Sequence, residues 1–258
     1  MTVLAFDIET VPDVAAGRRL LGLDGLADEA VAEAMLQRRR QQTGNDFLPQ
    51  HLQRVVAIAC ALRTRESFKL WCIGEPGSGE AELVQRFFDG IERYTPDLVS
   101  WNGTGFDLPV LNFRALFNSV RAPRYWEVGE SDRDFRYNNY LNKYHWRHTD
   151  LMEALAGFEP RARAPLDEVA RLCGLPGKQG LDGSRVWDEV RAGGLAQVRD
   201  YCEIDALNTY LLALRFDLLR GLLTPEALAS EQATVRDALA RDGRAHLTAY
   251  LARWAASP

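Results

Sequence analysis

The feature that most constrains this chain is a short apolar run that turns acidic within ten residues of its start. Residues 3–6 read Val-Leu-Ala-Phe, and Asp7 and Glu9 follow on alternate positions. Such a run predicts an interior strand beginning almost at the first residue. Alternate residues of a strand share a face, so both carboxylates can reach one point in space. Acids crowded in this way repel unless a cation lies between them, and Mg²⁺ or Mn²⁺ prefers such oxygen ligands. Ordinary surface acids at a strand end are the competing reading, and Asp-x-Glu by itself does not exclude it.

The pattern of the rest of the chain predicts how that strand is covered. Residues 54–63 and 67–73 are apolar runs separated by charges and read as a hairpin. Gly77-Ser78-Gly79 is a turn before a helix over 80–93, residues 98–101 form another short strand, and 108–117 a helix. Residues 24–40 read as an exposed helix ending in Arg38-Arg39-Arg40. From Thr149 onward helices start near Asp150, Pro165 and Ser184, and a long one spans 195–220. Thr224-Pro225-Glu226 is a helix start, with Thr as N-cap and Pro in the first turn. Strands come first and helices later, which predicts an α/β fold with a mixed sheet and helices on both faces. The expected organisation is one domain over residues 1–220 with a helical C-terminal extension over 221–258. The 258 residues are 47% hydrophobic, enough to bury a sizeable core.

Two further elements carry acids. In Trp101-Asn102-Gly-Thr-Gly-Phe106-Asp107, a strand runs into a glycine-containing loop and then an acid at a helix start. Asp107 there could equally be a plain N-cap. In Tyr201-Cys-Glu-Ile-Asp205 the tyrosine and the acid are four residues apart, so on a helix they share a face. Ile204, Leu207, Leu211, Leu214 and Leu218 form an apolar stripe beside it, as in an amphipathic helix with a solvated aspartate.

Taken in order, these elements resemble the three motifs of the DEDD exonuclease superfamily, whose fold is RNase H-like (DnaQ-like). Asp7-Ile-Glu9-Thr10 looks like the first motif. Asn102 to Asp107 looks like the second in its family B DNA polymerase proofreading form, and Tyr201-x-x-x-Asp205 like the third motif of the tyrosine (DEDDy) branch. Asp200 stands where the histidine branch would want a histidine. Residues 1–220 are similar to stand-alone bacterial proteins described as predicted exonucleases related to that proofreading domain. The resemblance implies a 3′-5′ exonuclease releasing 5′-mononucleotides from single strands, with two divalent cations, Mg²⁺ or Mn²⁺, as cofactors. It implies metal ligation by Asp7, Glu9, Asp107 and Asp205, and water positioning by Tyr201. Lys178-Gln-Gly-Leu181 resembles a Lys-x-x-hydrophobic element of some family B domains, where the lysine would stabilise charge on the scissile phosphate. A solvated lysine in a glycine-rich loop is the bland alternative. Thr10, Asn102 and Phe106 match family residues that touch the 3′ end.

Residues 133–148 interleave Arg133, Arg136, Lys143 and Arg147 with Phe135, Tyr137, Tyr140, Tyr144 and Trp146. Cations among stacking rings suit a single strand, so Arg136, Tyr140, Lys143 and Tyr144 are expected nucleic-acid contacts. An exposed hairpin flanked by charge is the alternative. If the segment is scaffolding, the strand path lies near Thr10, Asn102, Phe106 and Lys178. His148 and Asp150 are expected to be structural or substrate-flanking rather than metal ligands, and Arg38-Arg39-Arg40 a basic helix end that suits the helix dipole.

Composition limits the partners. The net charge is −5 and the pI about 5.5, so no global cationic field is available and a nucleic-acid site must be local or metal-assisted. Four cysteines without CxxC spacing argue against zinc and read as reduced, buried thiols in a cytoplasmic protein. The N-terminus lacks a basic leader, and the longest apolar run, 55–62, is too short to cross a bilayer. The expected partner is therefore the 3′ end of a single strand, DNA ahead of RNA, with no membrane. No sequence feature identifies a protein partner or a polymerase domain. An exoribonuclease trimming RNA ends is the nearest alternative, since the same acids serve both substrates. A nuclease-silent binding module is the other, disfavoured because the four acids and the tyrosine are all present.

Overall fold

The computed structural model describes residues 2–178, 180 and 183–256. Five strands form one sheet: β1 (Val3–Pro12), β2 (Gln53–Arg63), β3 (Phe68–Cys72), β4 (Asp97–Ser100) and β5 (His148–Asp150). The order is β3-β2-β1-β4-β5. β1 is antiparallel to β2 and parallel to β4, and β5 is parallel to β4, so the sheet is mixed as expected. β1 and β2 lie in its middle and are covered on both faces, which is why β2 reads as an almost unbroken apolar run.

Among the described residues, ten α-helices accompany the sheet: α1 (Val14–Leu21), α2 (Asp28–Thr43), α3 (Glu80–Tyr94), α4 (Asp107–Phe117), α5 (Leu151–Leu155), α6 (Leu166–Leu172), α7 (Val186–Arg191), α8 (Leu195–Leu219), α9 (Pro225–Asp242) and α10 (Ala245–Ala256). On one sheet face Leu4, Phe6, Ile8, Ile58 and Leu98 pack against α3 and α4. On the other, Ala5, Ala61 and Val99 meet α8, and Leu228, Val235, Leu247 and Tyr250 of α9 and α10 join the same core. Small residues on that sheet face let α8 lie close to β1 and β2.

Several elements depart from the sequence reading. β1 does not stop at the acids but carries them in its interior and runs on to Pro12, with a bulge between Glu9 and Thr10. α8 is buried all round from Tyr201 to Leu214, because the sheet covers one side and α9 and α10 the other. The amphipathic helix with a solvated aspartate is therefore not what forms. α1 and β5 had no clear sequence signal. Residues 121–147 form no hairpin; the only helix among them is a 3-10 helix at Arg133–Arg136, and the segment is tied down by side-chain hydrogen bonds to backbone. Among the described residues no helix is long and apolar enough to cross a membrane.

Candidate active site

β1 pairs with β4 only as far as Ala5, opposite Val99. Beyond that point its edge is open on the β4 side, while β2 continues to satisfy the other edge. Asp7 and Glu9 share the face of Ala5, towards α8. The Cys202 thiol of α8 donates to the Asp7 carbonyl at 3.3 Å and to Asp7 Oδ2 at 3.4 Å. Asp7, Glu9 and Cys202 each offer a ligand atom within 4.8 Å of the others. Cys202 was not singled out in the sequence, although it lies three residues before Asp205 and so near the same helix face. Burial pushes its thiol up, so it acts as a donor that steadies Asp7.

Asp107 fills the open edge. It is the first residue of α4 and not its N-cap, a position held by Phe106. Its Oδ1 accepts the Ile8 N–H at 3.2 Å, a donor that the short β4 leaves unpaired. The preceding loop is closely determined. Asp150 accepts from the Asn102 and Thr104 amides, both at 2.9 Å, and a side chain at Gly103 would strike Ser100. Asn102 itself takes a left-handed conformation, φ 65°. Asp150 and His148 thus make structural contacts, one of the two roles expected for them: Asp150 also caps α5, and buried His148 bonds Ser100 Oγ at 2.8 Å.

α8 brings the third element. Asp205 Oδ2 lies 2.9 Å from Lys178 Nζ, which also donates to Tyr201 Oη at 2.5 Å. Lys178 is therefore not a solvated loop lysine. Gln179 and Leu181 of the Lys-x-x-hydrophobic element lie outside the described residues.

The electrostatics of the cluster follow from crowding in a dehydrated place. Glu9, Asp107 and Asp205 are buried, and Asp7 keeps an opening to solvent. Burial, then Glu9, Asp205 and Asp107, push Asp7 well above the usual carboxylate range, with Lys178 pulling the other way. Glu9 is raised by burial and by Asp205. Burial pushes Asp107 up to about 7, against the stabilising backbone amides. Asp205 is raised by burial despite Lys178. Burial opposes the Lys178 charge, but Asp205, Asp7 and Glu9 outweigh it and hold the ammonium above the ordinary lysine value. Burial and then Asp205 push the Tyr201 phenol up, so it stays protonated. Among the described residues, Asp205 Oδ1 is buried with no hydrogen-bond partner. Four acids that cannot all ionise comfortably, one with an orphaned oxygen, form a donor set suited to hard divalent cations.

The other expected contacts divide by position. Thr10 follows Glu9 and donates to Gln53 Oε1 at 3.0 Å; Phe106 precedes Asp107 and packs on Phe47 with centroids 5.4 Å apart. Tyr140 is a correction. It is 2% exposed, its ring packs on Tyr125, and its hydroxyl donates to the Pro96 carbonyl, so it has no free face for a base. Its apolar ring filled the core beneath β4, a role that local sequence cannot distinguish from stacking. Arg136, Lys143 and Tyr144 are exposed. Lys143 lies over the Tyr144 and Phe158 rings, and the segment ends where the Arg147 carbonyl accepts Leu98 N–H at the start of β4.

Residues 45–254 match a family model described as predicted 3′-5′ exonuclease related to the exonuclease domain of PolB. The span contains Asp107, Lys178, Tyr201 and Asp205, and begins after Asp7 and Glu9. Among curated proteins none matches the chain. Mixed sheet and flanking helices agree with an RNase H-like α/β exonuclease fold. With most of its length matched, the chain belongs to the family of predicted 3′-5′ exonucleases related to the exonuclease domain of PolB.

Proposed function

We propose that the protein is a metal-dependent 3′-5′ exonuclease of the DEDDy type, removing 5′-mononucleotides from the free 3′ end of single-stranded nucleic acid, DNA in preference to RNA. The observation that carries this reading is the convergence of Asp7, Glu9, Asp107 and Asp205 from three distant segments around an unpartnered buried carboxylate oxygen. Asp7, Glu9 and Asp205 would hold one divalent cation, and Asp7 with Asp107, through water, a second. Bound there, such a pair supplies water activation and stabilises the leaving 3′ oxygen of an in-line displacement.

The chain's own residues do the positioning. Tyr201, a protonated phenol one helical turn from Asp205, holds the attacking water by its hydroxyl and is too weak an acid to serve as base at neutral pH. Lys178, already held between Asp205 and Tyr201, offers its charge to the scissile phosphate. Thr10, Asn102 and Phe106 receive the terminal nucleotide, Phe106 by stacking.

Matched 5′-labelled DNA and RNA strands, incubated with purified protein and Mg²⁺ or Mn²⁺, test the reading. Progressive shortening from the 3′ end, faster on DNA, is expected. No shortening with either metal, or equal shortening by the Asp205→Ala variant, would overturn it.

A further inference from the structure

A row of exposed rings leads away from the acids. Phe106 packs on Phe47 at 5.4 Å, His51 on Phe113 at 5.7 Å, and Phe113 on Phe117 at 6.1 Å. Phe106, Phe113 and Phe117 lie seven and four residues apart, so they share one side of α4. Phe47, Phe113 and Phe117 are 57%, 39% and 53% exposed. Apolar rings left open together in this way mark a contact surface more often than chance. The Gln50 side chain donates to the Gly105 carbonyl at 3.0 Å and fastens the 47–51 segment to the active-site loop.

Cations line the same edge. A cavity of about 420 Å³ beside the rings is lined by Arg38, Arg39, Leu48, Pro49 and His51 among others, and Arg39 Nε donates to the Phe47 carbonyl at 3.0 Å. In a chain of net charge −5, a cationic helix end beside a row of rings is complementary to an anionic polymer with flat bases. An apolar protein partner would have no use for Arg38 and Arg39 at that edge.

We infer that Phe47, His51, Phe113 and Phe117, with Arg38 and Arg39, form a ledge that binds the nucleotides upstream of the 3′ terminus of a single strand. The inference rests on the proposed exonuclease reading and extends it from the terminal nucleotide to the strand behind it. From Phe106 to Phe117 the helix advances ~16 Å, against ~3.4 Å per stacked nucleotide, so the ledge spans several bases. Its continuity with Phe106 gives the direction: the 3′ end lies at the acids and the 5′ side runs along α4.

The test is affinity against strand length and salt, using the full-length protein with EDTA to prevent cutting. Fluorescent trinucleotide and fifteen-nucleotide DNA serve as probes. The parent should bind the longer probe more tightly. The Phe113→Ala/Phe117→Ala variant should lose on the order of tenfold or more of that gain, with little change in salt dependence. Phe113→Trp/Phe117→Trp should restore it, which separates stacking from damage to the fold. Arg38→Ala/Arg39→Ala should make the log–log salt slope shallower by about 0.7 for each phosphate contact removed. No length-dependent gain in the parent, or unchanged affinity in the alanine variants, overturns the ledge. So does loss of affinity that tracks dissociation of a dimer in sedimentation, which would make the rings a protein interface. Ledge-dependent binding by a parent that cuts no strand with Mg²⁺ or Mn²⁺ would instead sink the exonuclease reading and leave the ledge standing.

Discussion

Asp205 shows how a single carboxylate is committed before any ligand arrives. One oxygen is held by Lys178 and the other is buried without a partner among the described residues. Replacing Asp205 or Asp7 by alanine should abolish hydrolysis and leave the fold intact, because removing an acid from a crowded cluster relieves repulsion. Circular dichroism beside the strand assay checks both halves, and near-normal turnover in either variant contradicts the assignment. Tyr201→Phe keeps the ring and removes only the hydroxyl, so kcat should fall by roughly tenfold or more while KM changes little. A change confined to KM would make Tyr201 a binding residue. His148 titrates for a different reason. Burial pushes it down to about 4, so the folded state favours the neutral ring. Its contribution is present above the ordinary histidine pKa of about 6.5 and is lost as pH falls through that value towards 4. Urea unfolding between pH 8 and pH 4 should show the parent losing up to about 3 kcal/mol more than His148→Gln. Parallel curves for the two proteins would refute this.

At the scale of elements, α8 is the hub. It places Tyr201, Cys202 and Asp205 on the sheet side, while Glu203 anchors what covers its back. Glu203 accepts the Cys72 amide at 2.9 Å, Arg244 Nη1 at 2.8 Å and His246 Nε2 at 3.0 Å. Burial opposes its charge, but His246 and Arg244 hold the carboxyl below the usual range. Glu203→Gln leaves two basic groups facing a neutral amide. Since Arg244 is partly exposed and screened, the expected cost is about 1–3 kcal/mol. A urea midpoint equal to that of the parent would show that the anchor is dispensable.

For the whole molecule, the acid cluster sits beyond the end of β4, where β1 loses one neighbour and gains a loop. On the proposed reading a free strand terminus would fit such an edge, with Phe106 placed to stack on its base. Covalently closed single-stranded circles should therefore resist cleavage while linear strands of the same sequence are shortened. Nicking of circles at a comparable rate would identify an endonuclease. Excess EDTA should halt the shortening of linear strands, and added Mg²⁺ or Mn²⁺ should restore it.

Local rules in the sequence were enough for the elements with strong periodicity: β2, β3, α3, α4, α8 and the Thr224–Pro225 start of α9. They also marked Asp7, Glu9, Asp107, Tyr201 and Asp205, because alternation on a strand and a four-residue step on a helix bring such groups onto common faces. Other features depend on what lies opposite, which no local pattern contains. Cys202 reads as a plain buried thiol until β1 places Asp7 against it. Lys178 reads either as a phosphate-facing charge or as a solvated loop lysine until α8 presents Asp205. Tyr140 has the chemistry of a stacking residue, yet the Pro96 carbonyl takes its hydroxyl and the core takes its ring. β5 is three residues long and carries no period of its own, so only its pairing with β4 makes it a strand. Residue type and spacing, set by the sequence alone, determined which groups could act together. Long-range packing decided which of them meet, because contacts between residues a hundred positions apart follow from the closure of the sheet and not from their neighbours in the chain.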